Sequence, residues 1–297
     1  MRHRFAFLLI VVLAVLGAAL GVFAQDAPDA EAIQNDPNNP VFGNLIPLPE
    51  AVESGYAPVN DIQMYYAVYG PEDGQPVLLL HGGLGNADYF ANQIPAFVDA
   101  GYRVITPDSR GHGRSSVTDT PIDYDLMSSD VLALMDYLGI EQADLVGWSD
   151  GGIIGLDIAI HNPERLHKLV AYAANYVPSG VMSDIGTDDV FNAYIAQAML
   201  DYQLISPTPD RFDAFLANIG NMWATEPNWT QDELRAITVP TLFIDGWQEE
   251  AIYPAHDYEM SELVPGSTLI LLPDVGHFAM FLTPELFNGY VLGYLGS

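Results

Sequence analysis

Short apolar runs recur along the chain, and amphipathic stretches fall between them. Residues 77–80 are uninterruptedly apolar, and similar runs occupy 102–105, 143–146, 166–172, 239–244 and 267–272. Continuous runs this short predict strands covered on both faces, as in a parallel sheet. Between them, residues 87–100, 125–138, 151–161, 254–263 and 284–295 carry apolar side chains at helical spacing. Repeated strand–helix alternation predicts an α/β domain, a mostly parallel sheet with helices on both faces. Ahead of the first run, residues 56–69 alternate apolar and polar positions, which predicts two antiparallel strands joined near Asn60 and Asp61. Residues 175–236 break the rhythm. They are too many for an ordinary crossover, hold helical patterns at 188–204 and 210–219 followed by Trp223 and Trp229, and read as a helical cap inserted into the domain.

Two flanking segments do not fit this alternation. Residues 1–24 begin with Arg2 and Arg4, continue through an apolar run and end in Val22-Phe23-Ala24, the pattern of a secretory leader cleaved after Ala24. The run is also long enough to serve as an uncleaved membrane anchor. Residues 25–54 are acidic and rich in Asn and Pro, and are expected to form a flexible arm ahead of one domain over 55–297, the cap included. The location expected is secreted or periplasmic, with no membrane contact once the leader is removed.

Charge narrows the partners. The chain holds 9 basic and 39 acidic residues for a net charge of −30, and such a field repels nucleic acid. The absence of cysteine removes disulfides, thiolate metal sites and a cysteine nucleophile. Catalysis must then use other groups.

The strongest candidate is Gly147-Trp148-Ser149-Asp150-Gly151-Gly152, where an apolar strand ends and an apolar helix begins. A lone serine between glycines at a strand-to-helix turn reads as a nucleophile elbow, because the turn strains the serine and leaves its flanks no room for side chains. A serine hydroxyl needs a base, and the base needs a carboxylate to hold it. His277, in the loop after the last run, is the expected base. His3, His161, His167 and His256 read as leader, surface or packing residues. The acid belongs to the segment after 241–244, where Glu249 is favoured over Glu250 and Asp245 because it lies beyond the turn at Gly246. Ser149, Glu249 and His277 then follow the chain order nucleophile, acid, histidine.

The run His81-Gly82-Gly83-Leu84-Gly85 after the first buried strand is a candidate oxyanion loop. Its N–H donors would come from Gly83, with Leu84 as the alternative, together with Asp150; a plain glycine turn is the competing reading. His81 is expected to brace that loop. Asp108, Arg110, Arg114 and Ser115 lie in a compact charged turn, where Asp108 and Arg110 are expected to brace structure rather than react. Trp148 and Asp150 are candidate substrate contacts. The Asp150 carboxylate, with the cap acids Asp184, Asp188 and Asp189, could attract a cationic amine; helix capping by Asp150 and solvation of the cap acids compete with that reading.

With these motifs together, residues 55–295 resemble the α/β-hydrolase superfamily: His81-Gly82-Gly83, Asp108-x-Arg110-Gly111-x-Gly113-x-Ser115, the Trp-Ser-Asp-Gly-Gly elbow and Gly276-His277 each follow the expected strand. The elbow looks most like the valacyclovir hydrolase-like branch. The resemblance implies an eight-stranded sheet, a helical cap before the acid-bearing strand, and hydrolysis with neither cofactor nor metal. It also implies a carboxylesterase-like serine hydrolase acting on a small-molecule acyl substrate, with an aminopeptidase or amidase, or an inactive binding protein of the same fold, as the alternatives. Two departures stand out. Gly246-Trp247-Gln248-Glu249 replaces a turn in which relatives carry aspartates, and Leu84 stands where several carry proline.

Overall fold

The computed structural model describes residues 40–297. The leader or anchor expected at 1–24, and the arm as far as residue 39, lie outside the described residues. From Glu53, β1 (Glu53–Val59) and β2 (Ile62–Tyr69) form an antiparallel hairpin in which Val59 pairs with Ile62, and Asn60 takes the left-handed turn position with φ 45°. The remaining strands are β3 (Gln75–Leu80), β4 (Tyr102–Pro107), β5 (Ala143–Trp148), β6 (Leu166–Tyr172), β7 (Thr241–Gly246) and β8 (Thr268–Leu272). They complete an eight-stranded sheet in the order β1-β2-β4-β3-β5-β6-β7-β8, antiparallel at β1–β2–β4 and parallel from β4 onward. This is the α/β-hydrolase fold.

The apolar runs have the physical meaning expected of them: every residue of β5 and of β7 is buried, Asp144 and Asp245 included, because helices cover both faces. Those helices are α1 (Ile94–Asp99), α2 (Tyr124–Tyr137), α3 (Asp150–His161), α7 (Pro254–Leu263), α8 (Ala279–Leu282) and α9 (Pro284–Leu295). In the interval between β6 and β7 lie α4 (Asp189–Ile205), α5 (Phe212–Thr225) and the short α6 (Gln231–Arg235), which a Thr230–Glu233 capping box starts.

The helix expected over 87–100 is split. Asn86 caps a 3-10 turn at Ala87–Phe90, and the chain becomes α-helical only at Ile94, where Pro95 fits the first turn because its missing N–H has no partner to lose there. The helix expected to end at residue 219 runs on to Thr225, since Met222 adds another buried position to its apolar face. Residues 40–52 are not a free tether. Val41 and Phe42 are buried, and the Phe42 ring lies 5.0 Å from those of Tyr89 and Phe281 and 6.2 Å from that of Tyr194 on the cap. Their apolar side chains gain more by entering this aromatic cluster than a solvated arm would allow.

Candidate active site

The loops at the carboxyl ends of β3, β5, β7 and β8 come together, where ligands of open α/β folds collect: a Cβ on Gly82 would lie 3.1 Å from that of Ser149, Trp148 bonds the His277 carbonyl, and His277 meets Glu249. Ser149 links β5 to α3 with φ 53° and ψ −117°, a conformation that costs a side-chain-bearing residue on the order of 1–3 kcal/mol and projects it clear of both elements. The glycines around it are sterically required. A Cβ on Gly147 would overlap the Gly151 carbonyl, and one on Gly151 would overlap the Leu80 carbonyl of β3. Ser149 is half-buried, and among the described residues its hydroxyl has no hydrogen-bond partner.

His277 and Glu249 form a buried pair. His277 Nδ1 lies 2.5 Å from Glu249 Oε1, and the same oxygen accepts from the N–H groups of Ala251 (3.1 Å) and Ile252 (2.9 Å). Three donors converging on one carboxylate oxygen fix its direction. Burial works against the charged imidazolium, but Glu249, with Glu250 and Asp150 behind it, outweighs that and raises the His277 pKa above its ordinary value. Both rival acids are engaged elsewhere. Glu250 Oε2 accepts from the His277 backbone N–H (2.7 Å), and Asp245 Oδ1 from the Gly246 N–H (2.6 Å). The imidazole is tied to the elbow through its own main chain, since Trp148 Nε1 donates to the His277 carbonyl at 3.0 Å.

Trp148 is therefore not a substrate contact. It is 1 % exposed, walled by Tyr194, Phe278 and Phe281, and its N–H is spent on His277. An indole that finds both an apolar wall and an acceptor is more stable buried than lining an open site.

Asp150 also departs from expectation. Its carboxylate neither caps α3 nor faces open space: Tyr124 Oη donates to Oδ1 at 2.9 Å, and Trp223 Nε1 from the cap reaches Oδ1 at 2.9 Å and Oδ2 at 3.1 Å. Burial raises the carboxyl to about 6, with the two donors holding it back. Of the cap acids, Asp188 caps α4 by accepting from the Phe191 N–H (2.8 Å), while Asp184 and Asp189 are exposed. The described residues thus assemble no carboxylate cluster for an amine.

The loop at Gly83 lies under the cap. Tyr194 Oη of α4 donates to the Gly83 carbonyl at 2.5 Å, and a Cβ on Gly83 would run into the Trp223 ring and the Asp150 carboxylate. Leu84 follows at φ 66°. Asp150, as the first residue of α3, has no helical acceptor for its N–H, and no hydrogen bond to the Gly83 or Leu84 N–H occurs among the described residues. His81 braces this loop as expected: Nδ1 donates to the Gly82 carbonyl (2.8 Å) and Nε2 accepts from the Ser109 N–H (2.9 Å), with burial lowering the ring to about 4.

The charged turn after β4 is structural. Asp108 accepts from the N–H groups of Ala87 and Arg114, both at 2.7 Å, while Ser115 Oγ donates to the Asp108 carbonyl at 2.6 Å. Arg110 grips Asp130 with two bonds and also reaches Asp61 (3.1 Å). His161 pairs with Asp157, His167 is exposed, and His256 is buried with its ring stacked on Tyr176. Among the described residues no group of His, Asp or Glu has the arrangement of a metal site.

Residues that sequence reasoning missed are Tyr124, Tyr194 and Trp223, each of which reaches the elbow or the Gly83 loop from a distant helix. A polar aromatic on an otherwise apolar helix face was the available signal, since a buried hydroxyl or indole N–H needs an acceptor.

Residues 75–219 match the family model for the alpha/beta hydrolase fold. The chain is similar to 3-oxoadipate enol-lactonase 2 of Acinetobacter baylyi, 41% identical over 255 residues that cover 77% of this chain and 91% of that one. It is also similar to a non-heme chloroperoxidase of Streptomyces lividans, 30% identical over 267 residues covering 79% and 96%. Among solved structures, an enol-lactonase from Burkholderia xenovorans LB400 superposes with a TM-score of 0.68 at 21% identity, covering 82% of this chain and all of that one, a likeness of fold.

Proposed function

The chain belongs to the α/β-hydrolase family, and from that premise we propose that it is a serine hydrolase that cleaves an ester or lactone through an acyl-enzyme. The observation that carries this reading is the buried 2.5 Å contact between His277 Nδ1 and Glu249 Oε1, tied through Trp148 Nε1 and the His277 carbonyl to a serine in the elbow conformation. Nδ1 keeps its proton against Glu249, so Nε2 is the free base. Ser149 Oγ attacks the acyl carbon as its proton passes to His277 Nε2, and Glu249 stabilises the imidazolium that forms. Charge developing on the acyl oxygen meets the N–H groups of Asp150 and of Gly83 or Leu84, which can supply several kcal/mol. The imidazolium returns its proton to the leaving oxygen; water then attacks the acyl-enzyme by the same route and restores Ser149.

The groups that reach the elbow, the Gly83 loop and His277 from the cap are Trp223, Tyr194 and Phe191, all uncharged. They favour a neutral acyl group, and the relative named as an enol-lactonase keeps lactones in the class. With both Asp150 oxygens held by Trp223 and Tyr124, an amine gains little there, so esters are preferred to aminoacyl amides.

A fluorophosphonate probe followed by peptide mass spectrometry tests the reading. Label is expected on Ser149 and is lost in His277→Ala, while neutral p-nitrophenyl esters turn over faster than aminoacyl p-nitroanilides. An unlabelled folded protein, or equal labelling of His277→Ala, overturns the enzyme assignment.

A further inference from the structure

Behind the His277–Glu249 pair lie two carboxyl groups that the chemistry above does not use. Asp245 is the penultimate residue of β7 and is completely buried; Asp257 sits in the first turn of α7 and is 2 % exposed. Their side chains face each other within hydrogen-bond reach, and each also feels the charge of Glu249. One oxygen on each of the three groups, Asp245 Oδ2, Asp257 Oδ2 and Glu249 Oε2, is buried without a hydrogen-bond partner. An ionised carboxylate only accepts, so two that face each other cannot bond without a proton. Leaving both ionised and unpartnered in the interior would cost several kcal/mol.

Among the described residues the surrounding elements offer the pair one counter-charge, His277, which lowers Asp257 by less than burial and Glu249 raise it. From β6 comes Tyr172, whose hydroxyl donates to the Gly276 carbonyl (3.1 Å) and accepts from the Ala279 N–H (2.7 Å). From the loop after β7 come Glu249 and Glu250, and from the loop after β8 comes His277, already bonded to Glu249. From the cap comes Asp188, near Glu250. The cheapest donor left is a proton.

We propose that Asp245 and Asp257 share one proton at neutral pH and act as positioning residues for Glu249, an O–H···O bond tying the end of β7 to the start of α7 across the loop that carries the acid. The role rests on the reading of Glu249 as the partner of a catalytic His277. Burial raises Asp257 to about 7 and Asp245 well above its ordinary value, so the bond persists at neutral pH and is lost as pH rises. Loss of the proton sets two carboxylates against each other, frees the loop and adds negative charge behind Glu249. That charge stabilises the His277 imidazolium and slows return of its proton to the leaving group.

The wild type is compared with Asp257→Asn and, independently, Asp245→Asn, in which an amide N–H replaces the shared proton without titrating. Infrared difference spectra at neutral pH are expected to show a protonated-carboxyl C=O band that each variant loses. On an alkyl ester, whose alkoxide leaving group needs the His277 proton, wild-type kcat/KM is expected to fall several-fold to a lower plateau through the pair's upper titration step, a limb that the folded variant lacks. A wild-type spectrum without that band, or the same alkaline limb in both variants, overturns the proposal. Fluorophosphonate labelling of the same samples separates the two readings. An unlabelled Ser149 removes the catalytic reading and the positioning role with it, whereas the infrared band decides the shared proton in either case.

Discussion

Trp223→Phe removes one N–H and keeps an aromatic ring over the Gly83 loop. In the wild type that N–H reaches both oxygens of Asp150, at 2.9 and 3.1 Å, and is the larger of the two donors that hold the carboxyl down against burial. A hydrogen bond to a charged acceptor contributes about 1.5–3 kcal/mol, so its loss raises the proton affinity of Asp150 by a factor of roughly ten to a hundred. From a starting point of about 6, the carboxyl becomes mostly protonated at neutral pH. Two consequences follow with opposite directions. The negative charge of Asp150 helps raise His277, so neutralising it makes the imidazole less basic and moves the acid limb of kcat/KM to lower pH. Stability moves the other way along the pH axis. A carboxyl whose folded pKa lies above its unfolded value binds its proton more tightly when folded, so stability falls as pH rises between the two values. In the wild type the Asp150 contribution to that fall is largely complete near pH 6; in the variant it continues to higher pH and costs about a further 1.5–3 kcal/mol by pH 8. Urea unfolding at pH 5, 6 and 8, and the pH profile of ester hydrolysis, read both effects. Tyr124→Phe should act in the same direction and more weakly. An acid limb that stays put or moves up, with stability flat between pH 6 and 8, would refute the coupling of the cap to the histidine through Asp150.

The remaining expectations concern the acid and the elbow. Glu249→Gln leaves an oxygen near His277 Nδ1 but removes the charge, and should lower kcat by roughly 10³–10⁴. Glu250→Gln keeps a carbonyl acceptor for the His277 N–H and should stay within about tenfold of the wild type, because it loses only the charge-assisted part of that bond and a smaller share than Glu249 of the field on His277, about 1 kcal/mol together. Equal losses in the two variants would count against Glu249 as the acid. Gly151→Ala drives a methyl group into the Leu80 carbonyl of β3, and should destabilise the fold by about 3 kcal/mol or more in chemical denaturation; an unchanged midpoint would contradict the packing at the elbow.

The parallel sheet and its covering helices were legible because a strand buried on both faces is mostly apolar along its length, and that pattern is local. β5, β7, α7 and α9 needed no knowledge of their partners. The elbow was legible for a related reason: Gly147 and Gly151 record in sequence the absence of space beside Ser149. The packed segment at Val41 and Phe42 was not, since two apolar residues in an acidic stretch form no period and the rings that Phe42 meets, Tyr89, Tyr194 and Phe281, lie far along the chain.

Chain order and motif pointed to Ser149 and His277 and ranked three acids behind them; only the folded loop distinguished those acids. Glu249 meets His277 Nδ1, Glu250 meets the His277 main chain, and Asp245 turns away toward Asp257, although Glu249 and Glu250 are adjacent and all three share the same charge. The sequence by itself determined which chemical groups lie near the carboxyl ends of the strands, because burial periodicity places strand ends. The tertiary structure alone decided what each group does. A carboxylate's role depends on which donors converge on its oxygens, and the donors to Asp150, Trp223 and Tyr124, come from helices that sequence periodicity marks as buried but cannot aim.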